Sequence, residues 1–381
     1  AWASITSYLG READVAYARA LELCRQVEQT PHLFTVLWGL HEIALYRAEY
    51  AKSLALAHQC LEIATDLGDP GLLLEAHHAI WGPCYLLGDY QQAHAHIESG
   101  LAIYDRAEHE PLSVHYGVHD AASCALYVSA LALWNMGYLD QARHQLARAS
   151  ILAQELVLPA NIADSYAYAG LCHQLLRDAS TVQKFAEPAL QISTDKDYPH
   201  SRIIGAGLLG WSLSIQGQTG EGLSLARQAM AAVEECDQRV HYSQLAAMFA
   251  ECLILAGQHA DALNVADKAI DRFEKFRDLL CAPDLWTIRG DALLALGASN
   301  DEVADSYHSA LTLAQELGAK TSELRAAVKL ARLRRMDGDT SASRSTISVV
   351  YNWFTEGFDT PDLSVAKDLL DELATQDDPR K

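Results

Sequence analysis

The run Leu86-Leu87-Gly88-Asp89-Tyr90-Gln91-Gln92-Ala93 decides the fold, because it returns in register as Met136-Gly137-Tyr138-Leu139-Asp140-Gln141-Ala142 and as Ala256-Gly257-Gln258-His259-Ala260-Asp261-Ala262. Working outward, short turns recur at Gly88, Gly137, Arg177, Gly217, Gly257, Gly297 and Gly338, with weaker versions at Gly10 and Ala48. The successive spacings are 38, 40, 49, 40, 40, 40, 40 and 41 residues. Seven residues before six of these turns stands a small residue (Ala130, Gly170, Gly210, Ala250, Gly290, Ala331), and twelve after several comes another (Gly100, Ala149, Ala189, Ala229, Ala269). A fixed period with small residues at fixed phases means that one pair of elements is packed the same way each time, with Gly or Ala where backbones approach closely.

Within each period the apolar residues keep a helical spacing. In Glu221 to Val233, for example, Leu223, Leu225, Ala226, Ala229, Met230 and Val233 form one stripe, and strand alternation is absent. Forty residues divide into two helices of about 16 to 17 residues and two short connections. The period therefore predicts an all-α solenoid of about nine helix-turn-helix units, one array over 1–381, with 1–30 an incomplete first unit.

Composition agrees. The chain has 381 residues, 50 acidic against 29 basic, a formal charge of −21, and 50% hydrophobic residues. Half the residues can be buried, which argues against disorder, and the acidic surplus repels phosphate, so no nucleic-acid partner is expected. No Gly/Ser/Pro-rich linker divides the chain. The eight cysteines include no CxxC pair and read as buried, reduced thiols of a cytoplasmic protein. The longest uncharged stretch, Ala121 to Leu139, carries Ser123, Ser129, Asn135 and Gly137 and fits the solenoid pattern, so no membrane span is expected.

The three turn segments quoted above resemble the inter-helix turn of the tetratricopeptide repeat, in a long variant; Trp286, four residues before Gly290, and Gly210-Trp211 also suit its first helix. The resemblance implies a right-handed superhelix with an inner groove. A narrower resemblance is carried by Val350-Tyr351-Asn352-Trp353-Phe354-Thr355-Glu356-Gly357-Phe358-Asp359-Thr360-Pro361-Asp362-Leu363 with Ala366-Lys367-Asp368-Leu369-Leu370, by Ala76-His77-His78-Ala79-Ile80-Trp81 and by Tyr116-Gly117-Val118-His119-Asp120. These look like the C-terminal repeat region of bacterial multidomain signalling proteins, in which a class III nucleotide cyclase or other output domain precedes an AAA-type ATPase. No GxxxxGK[ST] loop or cyclase motif occurs in the sequence, so the enzymatic activities of that family are not carried over and no catalysis is expected. Ala1 to Leu9 reads as half a repeat with no initiator Met, which suggests a fragment of a longer polypeptide. At the other end, Thr360 as N-cap and Pro361 at the first helical position predict a capping helix over 360–374.

The 49-residue spacing marks an insertion, 105–120, and insertions in solenoids fall on loops that often carry function. It yields a polar cluster of His77, His109, His115, Tyr116, His119 and Asp120, in which His115 and His119, at i, i+4, are a weak metal candidate. The ordinary alternative has Asp120 or His119 capping a helix, His77 in solvent and His78 partnered in the core. No cofactor is expected. The register that the family implies directs Trp38, His78, Trp81, Tyr85, Tyr127, Trp134, Asp164, Gln174, Trp211, Glu251 and Asp284 toward the groove, with about half of the aromatics packed between helices. The cysteines lie in mid-helix without the context that activates a thiolate. The expected partner is thus a protein segment or small-molecule effector in the groove, biasing ATPase and output domains attached in cis. A free-standing scaffold, or a His-dependent metal site or enzyme, are the alternatives.

Overall fold

A computed structural model of the chain describes residues 11–27, 30–117, 119–156, 158–235 and 239–376; the expected half-repeat at Ala1 to Leu9 and Cys236 lie outside them. Helix α1 (Arg11–Val27) precedes eight helix pairs. They are α2 (Thr30–Tyr46) with α3 (Tyr50–Leu67), α4 (Pro70–Leu86) with α5 (Tyr90–Ile103), and, after the insertion with its short α6 (Arg106–His109), α7 (Ala121–Asn135) with α8 (Leu139–Ala153). Then come α9 (Pro159–Leu175) with α10 (Ala179–Lys196), α11 (Pro199–Ile215) with α12 (Thr219–Glu235), α13 (Tyr242–Leu255) with α14 (His259–Phe276), α15 (Ala282–Ala295) with α16 (Asn300–Glu316), and α17 (Lys320–Met336) with α18 (Thr340–Tyr351). Helix α19 (Pro361–Gln376) follows, and no strand occurs among the described residues.

Each pair is built by the turn that set the period. Ala48, Gly88, Gly137, Arg177, Gly217, Gly257, Gly297 and Gly338 all have left-handed φ, from 57° to 89°. That conformation stops one helix and lets the next residue's N–H reach back, as Asp89 does to the Cys84 carbonyl and Gln258 to that of Leu253, both at 2.9 Å. Asp89 and Asp178 then cap the second helix of their pairs, accepting from the N–H groups of Gln92 and Thr181.

The small residues hold helices at contact distance. A Cβ on Gly210 would lie 2.6 Å from the Ala226 nitrogen and 2.7 Å from the Gly222 carbonyl oxygen, so α11 and α12 touch backbone to backbone. Second helices bury a single stripe; in α12 it is Gly222, Leu223, Ala226, Ala229, Met230 and Val233, with Leu225 half-exposed. First helices bury more of their circumference than second helices, and in α7 every residue except Cys124 is buried. Helix α19 covers the end of the array with Leu363, Ala366, Leu369 and Leu373; Thr360, expected as its N-cap, donates its hydroxyl to the Gly357 carbonyl at 2.7 Å and closes the preceding turn.

The array coils back on itself. The Tyr46 carbonyl at the end of α2 accepts the Arg239 N–H at 2.7 Å, and the Leu86 carbonyl at the end of α4 accepts that of Leu279 at 3.3 Å. The Trp134 carbonyl in α7 accepts the Thr321 hydroxyl at 2.6 Å. In each case the partner lies at the start of the first helix five pairs later. The inner faces of the first helices therefore line an inner channel with two distinct cavities.

Candidate functional site

The wider cavity, about 440 Å³, opens among α11, α13, α15, α17 and α19. Its floor is apolar, with Trp211, Ile254, Leu324 and Val328 joined by the exposed Ile215, Leu255 and Val365. Its rim is a row of ion pairs. Arg177 meets Glu251 at 2.6 Å, and the same carboxylate accepts from the Trp211 indole at 2.6 Å. Burial pushes the Glu251 carboxyl up, but the Arg177 charge and these hydrogen bonds outweigh it and hold it below the ordinary value. Arg325 pairs with Asp284 and Asp362, donates to the Leu175 carbonyl and lies over the Trp134 ring; Lys329 pairs with Asp291 at 2.7 Å. Arg332, exposed on the same face of α17, has no carboxylate partner among the described residues.

The narrower cavity, about 60 Å³, lies in the first turn of the coil, where α2, α4, α7, α9 and α11 face one another. Here His78 Nε2 and His119 Nε2 stand 3.0 Å apart, and with Cys124 Sγ they form a group whose atoms all lie within 4.8 Å. His78 turns Nδ1 to the Glu75 carboxylate at 2.9 Å, His119 turns Nδ1 toward Asp164 at 4.0 Å, and the Trp81 indole donates to Cys124 Sγ at 3.5 Å. Burial alone pushes the Cys124 thiol up, but the two imidazoles reverse this and bring it down to about 6. The buried thiols of Cys60, Cys84 and Cys252, with no such neighbours, are pushed up to about 12. Burial also lowers His41 to about 3 and His241 to about 4, pulls His200 down, and raises Glu42 to about 7.

Of the residues expected to face the groove, Trp38, His78, Trp81 and Tyr85 line the narrow cavity, and Trp211, Glu251 and Asp284 the wide one. Asp164 stands beside His119, whereas Tyr127, Trp134 and Gln174 are buried away from both cavities. All six aromatics are buried, more than the half expected, because the coil closes over the inner faces. The insertion disperses its cluster. Tyr116 packs edge-on against Phe34 and Trp38, Asp120 caps α7 through the Ser123 N–H at 2.8 Å and accepts from the Tyr104 hydroxyl, and His109 accepts from the Asp105 N–H. His77 meets His96, Nδ1 to Nδ1, at 2.9 Å.

The i, i+4 pairing of His115 with His119 is not formed. The chain turns after Val114, passes Gly117 at φ 72° and becomes helical only at Ala121, which leaves His115 exposed and swings His119 onto His78. The expectation that no cysteine has an activating context fails at Cys124. Its signal was weak: a helix apolar all round does not reveal which residue faces an opening. The rim cations Arg325, Lys329 and Arg332 were more legible, since spacings of four and three put them on one face.

No family model matches the chain. It is similar to an uncharacterised protein of Rhizobium meliloti (strain 1021), 24% identical over 324 residues, which are 81% of this chain and 30% of that protein. The chain thus spans under a third of the length of that relative. Among solved structures it is similar to a Rap protein complexed with competence and sporulation factor (11% identity, 90% of this chain and 98% of that one, TM-score 0.56). It is also similar to NprR in complex with its cognate peptide NprX (10% identity, 78% and 81%, TM-score 0.52) and to the Cut9–Hcn1 hetero-tetramer (12% identity, 97% and 62%, TM-score 0.55). The fold is that of a tetratricopeptide-like α-solenoid. No helix among the described residues is long and apolar enough to cross a membrane.

Proposed function

We propose that this chain is a protein-interaction module that takes an extended peptide segment in the wide cavity and, through it, regulates ATPase or output domains attached in cis. The observation that carries this reading is the cavity itself: an apolar floor with three exposed side chains, Ile215, Leu255 and Val365, beneath a rim whose Arg332 has no carboxylate partner among the described residues. A volume of about 440 Å³ suits a few side chains and not a folded domain. The chemistry calls for a segment with aliphatic side chains and a carboxylate for Arg332. Of the solenoids of similar fold, NprR is described in complex with its cognate peptide and the Rap protein with competence and sporulation factor, and the Rhizobium meliloti relative is long enough to carry further domains. Because α11, α13, α15, α17 and α19 all border the cavity, a peptide that prefers one curvature shifts the population of coil shapes, and an attached domain can respond to that shift.

Selection of peptides from a displayed library on the purified chain, followed by fluorescence anisotropy, tests the reading. Leu255→Asp and Arg332→Glu are each expected to weaken the selected peptides at least about tenfold with Tm unchanged, while Ile151→Asp on an outer helix leaves affinity alone. Failure to select any binder, or binders indifferent to both cavity substitutions, removes the proposal.

A further inference from the structure

We propose that His78, His119 and Cys124 form a binding site for a single zinc-like cation, which ties the inserted segment to α4. The three residues come from different places in the chain: α4, the end of the insertion and α7. Their orientations are fixed from behind. A carboxylate can only accept, so the contact of Glu75 with His78 Nδ1 at 2.9 Å places a proton there, and in the neutral ring the lone pair free for a ligand is then on Nε2. Asp164, 4.0 Å from His119 Nδ1, favours the same tautomer on the second ring. The two Nε2 atoms stand 3.0 Å apart, at hydrogen-bond distance: without a metal one carries a proton that the other accepts, and a cation can take that proton's place. Carboxylate behind imidazole in front of metal is the pattern by which proteins orient such ligands.

The distances suit a tetrahedral ion. With zinc–nitrogen bonds of about 2.0 to 2.1 Å, two imidazole nitrogens stand about 3.3 Å apart. The observed 3.0 Å needs only a slight opening, and Sγ with one nitrogen of each ring forms a group within 4.8 Å, which has to close to about 3.6 Å for tetrahedral bonds. The Trp81 N–H aimed at Sγ at 3.5 Å is a donor of the kind that stabilises a metal-bound thiolate. Cys124 is the one residue of α7 that is not buried, and what it faces is the cavity.

The size of the opening selects an ion over a substrate. At about 60 Å³ it is large enough for a cation with a water as fourth ligand and far smaller than a site for a drug-sized molecule. Two imidazoles and a thiolate select zinc or another soft or borderline ion over magnesium or calcium. On binding, the Cys124 thiol releases its proton to solvent, and Glu75 and Asp164 offset the charge that remains. Nothing in this site touches the wide cavity, so the inference stands apart from the peptide reading.

The test begins with the whole chain stripped by a chelator under reducing conditions and reloaded with Zn²⁺ alone. After gel filtration, mass spectrometry of the eluted metal is expected to give one zinc per chain, undisturbed by a large excess of Mg²⁺, and Tm is expected to rise. Cys124→Ser and His119→Ala should each lower retained zinc to about a tenth or less, with His115→Ala unaffected. Peptide-mapped alkylation of the unsubstituted protein gives a readout independent of how the variants fold: zinc should protect Cys124 and leave Cys24 reactive. Absence of retained zinc, equal alkylation of Cys124 with and without it, or full retention by Cys124→Ser would each overturn the proposal.

Discussion

At the scale of single residues, three histidines set how the molecule answers to acid. His41, His200 and His241 line the narrow cavity and are almost wholly buried, and burial holds each below the ordinary 6.5, to about 3 for His41 and about 4 for His241. As pH falls below 6.5 the unfolded chain takes up these protons before the folded one does. The stability they permit is whole above 6.5 and drains away toward pH 4, by up to about 1.4 kcal/mol per pH unit for each histidine. Glu42, raised to about 7 from 4.5, acts with the opposite sign, since its neutral form is the one the fold favours, and its contribution fades as pH rises through that window. Burial also raises Asp164 and Asp278, which act with Glu42, and lowers His77, His96 and His173, which act with the three histidines; six lowered histidines outnumber three raised carboxyls, so thermal stability is expected to drop between pH 6.5 and 4.5, and His200→Gln to make the drop shallower. A Tm constant across that range, measured by circular dichroism, would contradict this account.

At the scale of elements, the pairing of α11 with α12 gives the sharpest expectation. Adding one methyl at Gly210 must push two backbones apart, so Gly210→Ala is expected to lose about 1 to 3 kcal/mol in denaturant unfolding, despite the helix propensity that alanine brings. Gly220→Ala, in open space near the start of α12, should be neutral or slightly stabilising. If both behave alike, the close approach does not hold the pair. Elements of this kind were legible in advance because glycine has few reasons to recur every 40 residues except a left-handed turn or a backbone contact, and both occur here. The insertion was not legible. Its Tyr116 leaves the loop to fill a space between Phe34 and Trp38 that no local pattern announces. The narrow site was half legible: two of its three donors, His78 and His119, stand out as polar residues in apolar surroundings, while Cys124 is camouflaged in a helix of alanines and leucines.

At the scale of the whole molecule, the closure of the coil was invisible in the sequence, because the groups that accept across the turns are main-chain carbonyls, which every residue has. One of them can be tested. Thr321→Val leaves shape nearly unchanged but removes one of the two hydrogen bonds to the Trp134 carbonyl, which the Gly137 N–H also reaches at 3.0 Å, and the loss is expected to be about 0.5 to 1.5 kcal/mol by chemical denaturation. A variant as stable as the parent would mean that this carbonyl finds water and the seam is loose. The seam also bears on the order in which the chain is finished. A simple repeat array can fold as it leaves the ribosome, each copy resting on the one before. Here the helix ends at Tyr46, Leu86 and Trp134 are completed by Arg239, Leu279 and Thr321, so the first turn emerges with open ends and waits for about 190 residues more before its last hydrogen bonds have partners. During that interval the nascent chain offers to chaperones a surface that the finished protein no longer presents.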